Sequence, residues 1–223
     1  MYRREDIPAI PNPAPPKDAP TVAMMNANDG KPQTKDDISE VRHGYYAATS
    51  YLDAQLGKVI DEAERLGLME NTVIVFWSDH GFHLGEQGLW GKTSNFENAA
   101  RVPMIIVAPQ AKRAGTKAGG PVELLDLYPT LVDVCGLAPR PGLAGESLAP
   151  LLRDPMTTSD RHILTSFDAG NFAVTGPRWR YLRYADGKPA AMECDFGLGR
   201  VAMFSSTAST KWNDLPVRLY FVP

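Results

Sequence analysis

Asp79, His80 and Lys92 are the side chains whose type and spacing could do chemistry. They sit in one string, Ser78-Asp-His-Gly-Phe-His-Leu-Gly-Glu-Gln-Gly-Leu-Trp-Gly-Lys-Thr-Ser-Asn95. The carboxylate offers hard oxygen ligands to a divalent cation, and the adjoining imidazole either ligates a metal or contacts an anion bound to it. A sharp turn at Gly81 lets both side chains reach one cation. Lys92 supplies a point positive charge suited to a tetrahedral oxyanion such as sulfate or phosphate. Taken as a pair, Asp79 and His80 also fit a plain surface turn, and a lone lysine fits a solvated face. The whole string argues for chemistry, because no turn requires that arrangement.

The elements that must position these residues come next. Thr72-Val-Ile-Val-Phe-Trp77 ends immediately before Ser78 and is a continuous, β-branched apolar run. Such a run reads as a strand buried on both faces, and ligand sites in open α/β sheets gather beyond the carboxyl ends of strands. A second run spans Val102 to Ala108. Upstream, Ile38, Val41, Tyr45, Ala48, Leu52, Leu56, Val59, Ala63 and Leu66 recur at three- and four-residue steps. This spacing predicts a long amphipathic helix from about Asp37 to Leu68, capped by Asp36 or Asp37 and closed by Gly67. Leu124 to Val134 reads as another helix, with Pro129 near its first turn or kinking it.

In the last third, Phe172-Ala-Val and Arg180-Tyr-Leu-Arg-Tyr184 read as short strands, with a hairpin turn at Ala185-Asp-Gly-Lys188. Gly199 to Phe204 is a further candidate strand. The fold class expected is therefore α/β, with a mixed, largely parallel sheet flanked by helices and a smaller β-rich C-terminal region. Residues 1–35 form a proline-rich connector too poor in apolar side chains to fold alone, expected to drape over a larger body. Residues 36–155 make the α/β core portion, 156–190 a C-terminal subdomain, and 191–223 a tail of uncertain origin.

Composition narrows the partners. A net charge of −3 without a block of like charges argues against nucleic acid or an anionic membrane. No run of about 18 apolar residues offers a bilayer span, and the N-terminus lacks the apolar core of a secretory signal. Cys135 and Cys194 lie in unrelated contexts and give neither metal-ligand spacing nor a disulfide framework. Oligomeric state stays open.

Val73–Pro109 resembles the sulfatase family of the alkaline-phosphatase-like superfamily, in its iduronate-2-sulfatase-like branch. The resemblance rests on Trp77-Ser-Asp-His-Gly, Leu84-Gly-Glu86, Trp90-Gly-Lys-Thr-Ser-Asn-Phe96 and Arg101-Val-Pro-Met-Ile-Ile-Val-Ala-Pro109. Matching stretches also run from His43 to Gly57, from Val122 to Leu131 and from Leu143 to Leu148. The resemblance implies an alkaline-phosphatase-like fold and hydrolysis of sulfate esters, with sulfated carbohydrate as the substrate class. Asp79 and His80 would be ligands of a divalent cation, calcium in most relatives; His80 would orient the site or touch the anion. Lys92 would bind the sulfate and act in catalysis, and His83 would be an outer substrate contact. His43, Tyr45, Tyr46 and Trp90 are read as structural, and Arg101 as the partner of Asp126 or Glu97. Relatives are usually periplasmic, secreted or lysosomal.

Relatives draw their nucleophile, a formylglycine, from a Cys/Ser-x-Pro/Ala-x-Arg motif, and this sequence contains none. Cys135-Gly-Leu-Ala-Pro-Arg140 places Pro139 and Arg140 too far on, and Cys194-Asp-Phe-Gly-Leu lacks both. The expectation is a central and C-terminal portion of a sulfatase, inactive by itself, with a departure from the family pattern near residue 190. A metal-dependent phosphoester hydrolase of the same superfamily and a non-catalytic truncated protein are the alternatives.

Overall fold

The computed structural model describes residues 2–17, 19–25, 34–112, 114–185, 189–194 and 201–205. In chain order these form α1 (Thr21–Met25), α2 (Lys35–Arg65), β1 (Ile74–Trp77), the short β2 (His83–Leu84) and β3 (Trp90–Gly91), and α3 (Glu97–Ala100). β4 (Met104–Val107), α4 (Leu127–Val134) and α5 (Ala149–Arg153) follow. Last come β5 (Ile163–Ser166), β6 (Phe172–Thr175), β7 (Trp179–Arg183), β8 (Pro189–Cys194) and β9 (Val201–Ser205). The predicted turn at residues 185–188 lies largely outside the described residues. Among the described residues, no helix is long and apolar enough to cross a membrane.

The long helix forms as its spacing predicts, but its start is set differently. Thr34 is the cap: its Oγ1 accepts the Asp37 N–H at 3.1 Å while the Asp37 carboxylate accepts the Thr34 N–H at 3.0 Å. This reciprocal box satisfies two free helix-end donors at once, so Asp37 is the third helical residue rather than the cap. Gly67 closes the helix in the left-handed conformation (φ 68°), as expected. Pro129 falls in the first turn of α4, where its missing N–H costs nothing.

The proline-rich start of the chain lies against α2 and the turn after β2. Arg42 donates to the Pro8 carbonyl, the His43 ring nitrogen Nε2 sits 2.8 Å from the Tyr2 carbonyl, and the Tyr2 and Tyr46 rings meet edge to face at 5.2 Å. Further on, the Asn12 carbonyl accepts the Gln87 N–H at 2.7 Å.

β1 and β4 pair antiparallel, Ile74 opposite Val107 and Trp77 opposite Met104. The parallel neighbours expected of these runs are absent from the described pairings, which are all antiparallel. Burial on both faces is not seen either: Trp77 is 47% and Ile105 56% exposed. Apolar continuity reports what a strand is able to bury, and here those faces meet little of the described chain. The C-terminal strands form one antiparallel meander, β5-β6-β7-β8-β9. Leu89 and Phe96 join Ala173 and Leu182 of that sheet, and Tyr184 just past β7, in a single buried cluster, so the loop carrying Lys92 is seated on the C-terminal sheet.

α4 is anchored by a buried ion pair. Asp126 is fully buried and accepts Arg161 Nη1 at 2.5 Å and Nη2 at 2.8 Å. It also accepts the backbone N–H groups of Glu123 at 2.7 Å and Glu146 at 2.8 Å. Of the two partners predicted for Arg101, the structure selects Glu97, at 3.5 Å.

Candidate functional site

The site begins where β1 ends. Ser78 Oγ donates to the His80 carbonyl at 2.7 Å, and the His80 N–H donates to Asp79 Oδ1 at 3.0 Å, so the turn is held from within. Gly81 then presses on α3. Its N–H donates to the Ala99 carbonyl at 2.7 Å, and a Cβ there would stand 2.0 Å from the Asn98 carbonyl oxygen. No side chain fits, so the glycine is required by close approach.

Lys92 returns to this turn through the β2–β3 hairpin, in which His83 faces Gly91 and Leu84 faces Trp90. Its Nζ lies 3.0 Å from His80 Nε2, and Asp79 Oδ2 lies 3.5 Å from the same nitrogen. The three residues singled out in the sequence, Asp79, His80 and Lys92, therefore converge. The ring geometry adds a direction. His80 Nδ1 is 2.8 Å from the Gly81 carbonyl, which can only accept, so Nδ1 carries the hydrogen. In the neutral ring the lone pair then sits on Nε2, facing the Lys92 ammonium. Lys92 and Asp79 are both solvent-exposed, leaving the remaining ammonium hydrogens free to meet an anion.

His83 requires a correction. It is fully buried, so it cannot be an outer substrate contact. Its Nε2 lies 2.8 Å from Ser94 Oγ, and its ring meets Phe96 edge to face. The imidazole is a strut under the loop that follows Lys92. Burial holds its pKa below the usual histidine value, against the opposing pull of nearby Glu86. As pH falls below about 6.5 the unfolded chain gains a proton that the folded chain resists, so stability declines towards the depressed folded pKa. Urea unfolding between about pH 5 and 8 should show this decline, and His83→Gln should remove that part of it; an unchanged slope would contradict the assignment.

Sequence reading missed the support below the loop. Arg180 of β7, almost wholly buried, donates through Nη1 to the Asn95 carbonyl at 3.0 Å and pairs through Nη2 with Glu97 at 3.0 Å. The available signal was a charged residue at an inward position of β7, in alternation with buried Leu182.

Whether a cation fits can be tested on the donors. Calcium takes about six to eight oxygen ligands. Asp79 brings one carboxylate and His80 one nitrogen, and among the described residues no group of three or more His, Cys, Asp or Glu could hold a metal. These residues make at most part of a coordination shell. A cavity of about 180 Å³ beside α4 and α5, lined by Gln110, Asp133 and Leu152 among others, includes none of the three site residues.

An apolar strand thus ends in a carboxylate–imidazole turn that a lysine meets. Solved structures agree on the fold. The phosphonate monoester hydrolase of Silicibacter pomeroyi matches with a TM-score of 0.73 at 23% identity, covering 86% of this chain and 45% of that one. A protein solved with its substrate D-glucosamine-2-N,6-O-disulfate matches with a TM-score of 0.62 at 21% identity, covering 80% of this chain and 37% of that one. Residues 10–137 match the model of the Sulfatase family. A sulfatase of Formosa agariphila is 34% identical over 148 residues, 66% of this chain and 29% of the relative. The chain belongs to the sulfatase family, and it spans about three tenths of the length of that relative.

Proposed function

We propose that Asp79, His80 and Lys92 form part of a sulfate-ester hydrolase site, with Lys92 as its oxyanion-binding group. The observation that carries this reading is the 3.0 Å approach of Lys92 Nζ to His80 Nε2 beyond the end of β1. Lys92 binds the sulfate group and offsets charge as the S–O bond breaks. His80, locked by its Gly81 contact, accepts from the Lys92 ammonium through Nε2 and so orients it. Asp79 and His80 would contribute to a divalent-cation shell, calcium by family resemblance, where the cation would offset negative charge on the bound anion. The formylglycine nucleophile of such a reaction is drawn from a Cys/Ser-x-Pro/Ala-x-Arg motif, which these 223 residues do not contain. The substrate class we propose is sulfated carbohydrate, to which the disulfated glucosamine of the fold neighbour belongs. Phosphoester hydrolysis is supported only by fold likeness to the phosphonate monoester hydrolase.

The test is a sulfate titration followed by the ring resonances of His80. Sulfate should shift them saturably. Lys92→Ala should weaken binding by about tenfold to a hundredfold, the worth of a charge-assisted hydrogen bond, while Lys58→Ala on the exposed face of α2 should not. Equal responses in all three proteins would sink the assignment.

A further inference from the structure

Residues 92–96, between the end of β3 and the start of α3, belong to no helix or strand. A lysine on such a segment keeps its ammonium in place only if the backbone beneath it is held from elsewhere. Ser94 supplies three of the holds. Its N–H donates to the Lys92 carbonyl at 2.9 Å, its Oγ accepts the Phe96 N–H at 3.3 Å, and the same oxygen lies 2.8 Å from His83 Nε2. His83 stands in β2, opposite Gly91 in the hairpin register. Two side-chain contacts therefore join residues 80–83 to residues 92–94. Lys92 Nζ meets His80 Nε2 at the surface, and Ser94 Oγ meets His83 Nε2 in the interior. Without water to compete for either group, the interior contact is the fixed point, and the surface contact depends on it.

A serine hydroxyl this close to an imidazole also has the spacing of a nucleophile and its base. Burial excludes that role: His83 is fully buried and Ser94 is 8% exposed, so no ester reaches the pair. Its remaining use is mechanical. We infer that Ser94 is a positioning residue for Lys92, held in place by the buried ring of His83. The hydroxyl has one hydrogen and two lone pairs. One lone pair takes the Phe96 N–H, which leaves the hydrogen and the second lone pair to meet Nε2 in either ring tautomer. Removing Oγ takes one partner from the Phe96 N–H and one from His83 at the same time. The Lys92 carbonyl, tied to the Ser94 N–H, then shifts with the loop, and the ammonium leaves the His80 lone pair. The consequence for sulfate affinity rests on Lys92 being the oxyanion-binding group; the consequence for the Lys92–His80 contact does not.

The experiment compares the full 223-residue chain with Lys92→Ala, Ser94→Ala and Ser94→Thr at one pH, each checked for folding by circular dichroism. Without sulfate, the nitrogen resonances of the His80 ring report the Lys92 contact, and Lys92→Ala defines their position once it is lost. Ser94→Ala should move them towards that position, and Ser94→Thr, which keeps the hydroxyl, should restore them. Sulfate affinity should fall by about threefold to tenfold in Ser94→Ala, the worth of one hydrogen bond, and recover in Ser94→Thr. A serine that only stabilised the loop would lower the unfolding midpoint and leave the His80 resonances and the affinity alone. Unmoved His80 resonances in Ser94→Ala or in Lys92→Ala overturn the inference. So does an equal loss in Ser94→Thr, or a parent chain that binds sulfate no better than Ser94→Ala does. If the resonances respond as expected and the parent binds no sulfate at all, Lys92 fails as the oxyanion-binding group while the positioning role stands.

Discussion

Asp126→Ala is expected to destabilise the chain by about 3–5 kcal/mol, the usual effect of leaving a buried charge without its partner. The loss has several parts. The Arg161 guanidinium keeps its charge with less than a fifth of its side chain exposed, and the Glu123 and Glu146 N–H groups lose their acceptor. Asp126→Asn keeps an acceptor oxygen but removes the charge, and should cost less. The pair also has a pH signature. Burial pushes the Asp126 carboxyl upward, but the Arg161 hydrogen bonds and the two backbone donors prevail and hold it below the usual carboxylate range. A depressed folded pKa means that this contribution is fully present above the unfolded value of about 4. It is lost as pH falls through the folded pKa. Denaturant unfolding from about pH 6 to 2 should show the loss in the parent chain, and the Asn variant should lack that component. If Asp126→Ala unfolds at the parent's midpoint, the anchoring role is wrong.

Arg180→Ala is the second large effect, about 3 kcal/mol or more by the same reasoning. The guanidinium is nearly fully buried, and its removal strands the Asn95 carbonyl and one side of Glu97. Its influence also reaches function, because Asn95 and Glu97 lie just past Lys92. Sulfate affinity should fall in Arg180→Ala even under conditions where the protein is still folded. Arg180→Lys, a single donor in place of a fork, should recover part of the stability and little of the affinity. Stability loss with unchanged sulfate affinity would confine Arg180 to a purely structural role.

Local features of the sequence were legible where local physics decided them. The 3.6-residue spacing located α2 within a few residues, and the apolar runs located β1 and β4. The carboxylate–imidazole turn and the lysine approach each other across the β2–β3 hairpin, which the sequence reading did not place. What was not legible depended on distant chain. Nothing near Arg180 says that its guanidinium ends at Asn95, since that contact is made by packing one sheet beneath another loop. His83 looked available because it lies in a polar, glycine-rich string, yet the hairpin turns its ring inward onto Ser94. Among the described residues β1 pairs antiparallel with β4, a direction that an apolar run, which encodes burial capacity and not the orientation of its neighbour, does not specify. Thr34 was overlooked as a cap in favour of the acidic residues beside it, although Asp37 is half of the same box.

Gly81 rests on the carbonyl of Asn98, an atom every residue type possesses. The imidazole next to it is thus placed by main chain against main chain, with the Ser78 and Asp79 side chains bracing the turn. Substitutions at Asn98 or Ala99 that keep the backbone path leave that contact in place.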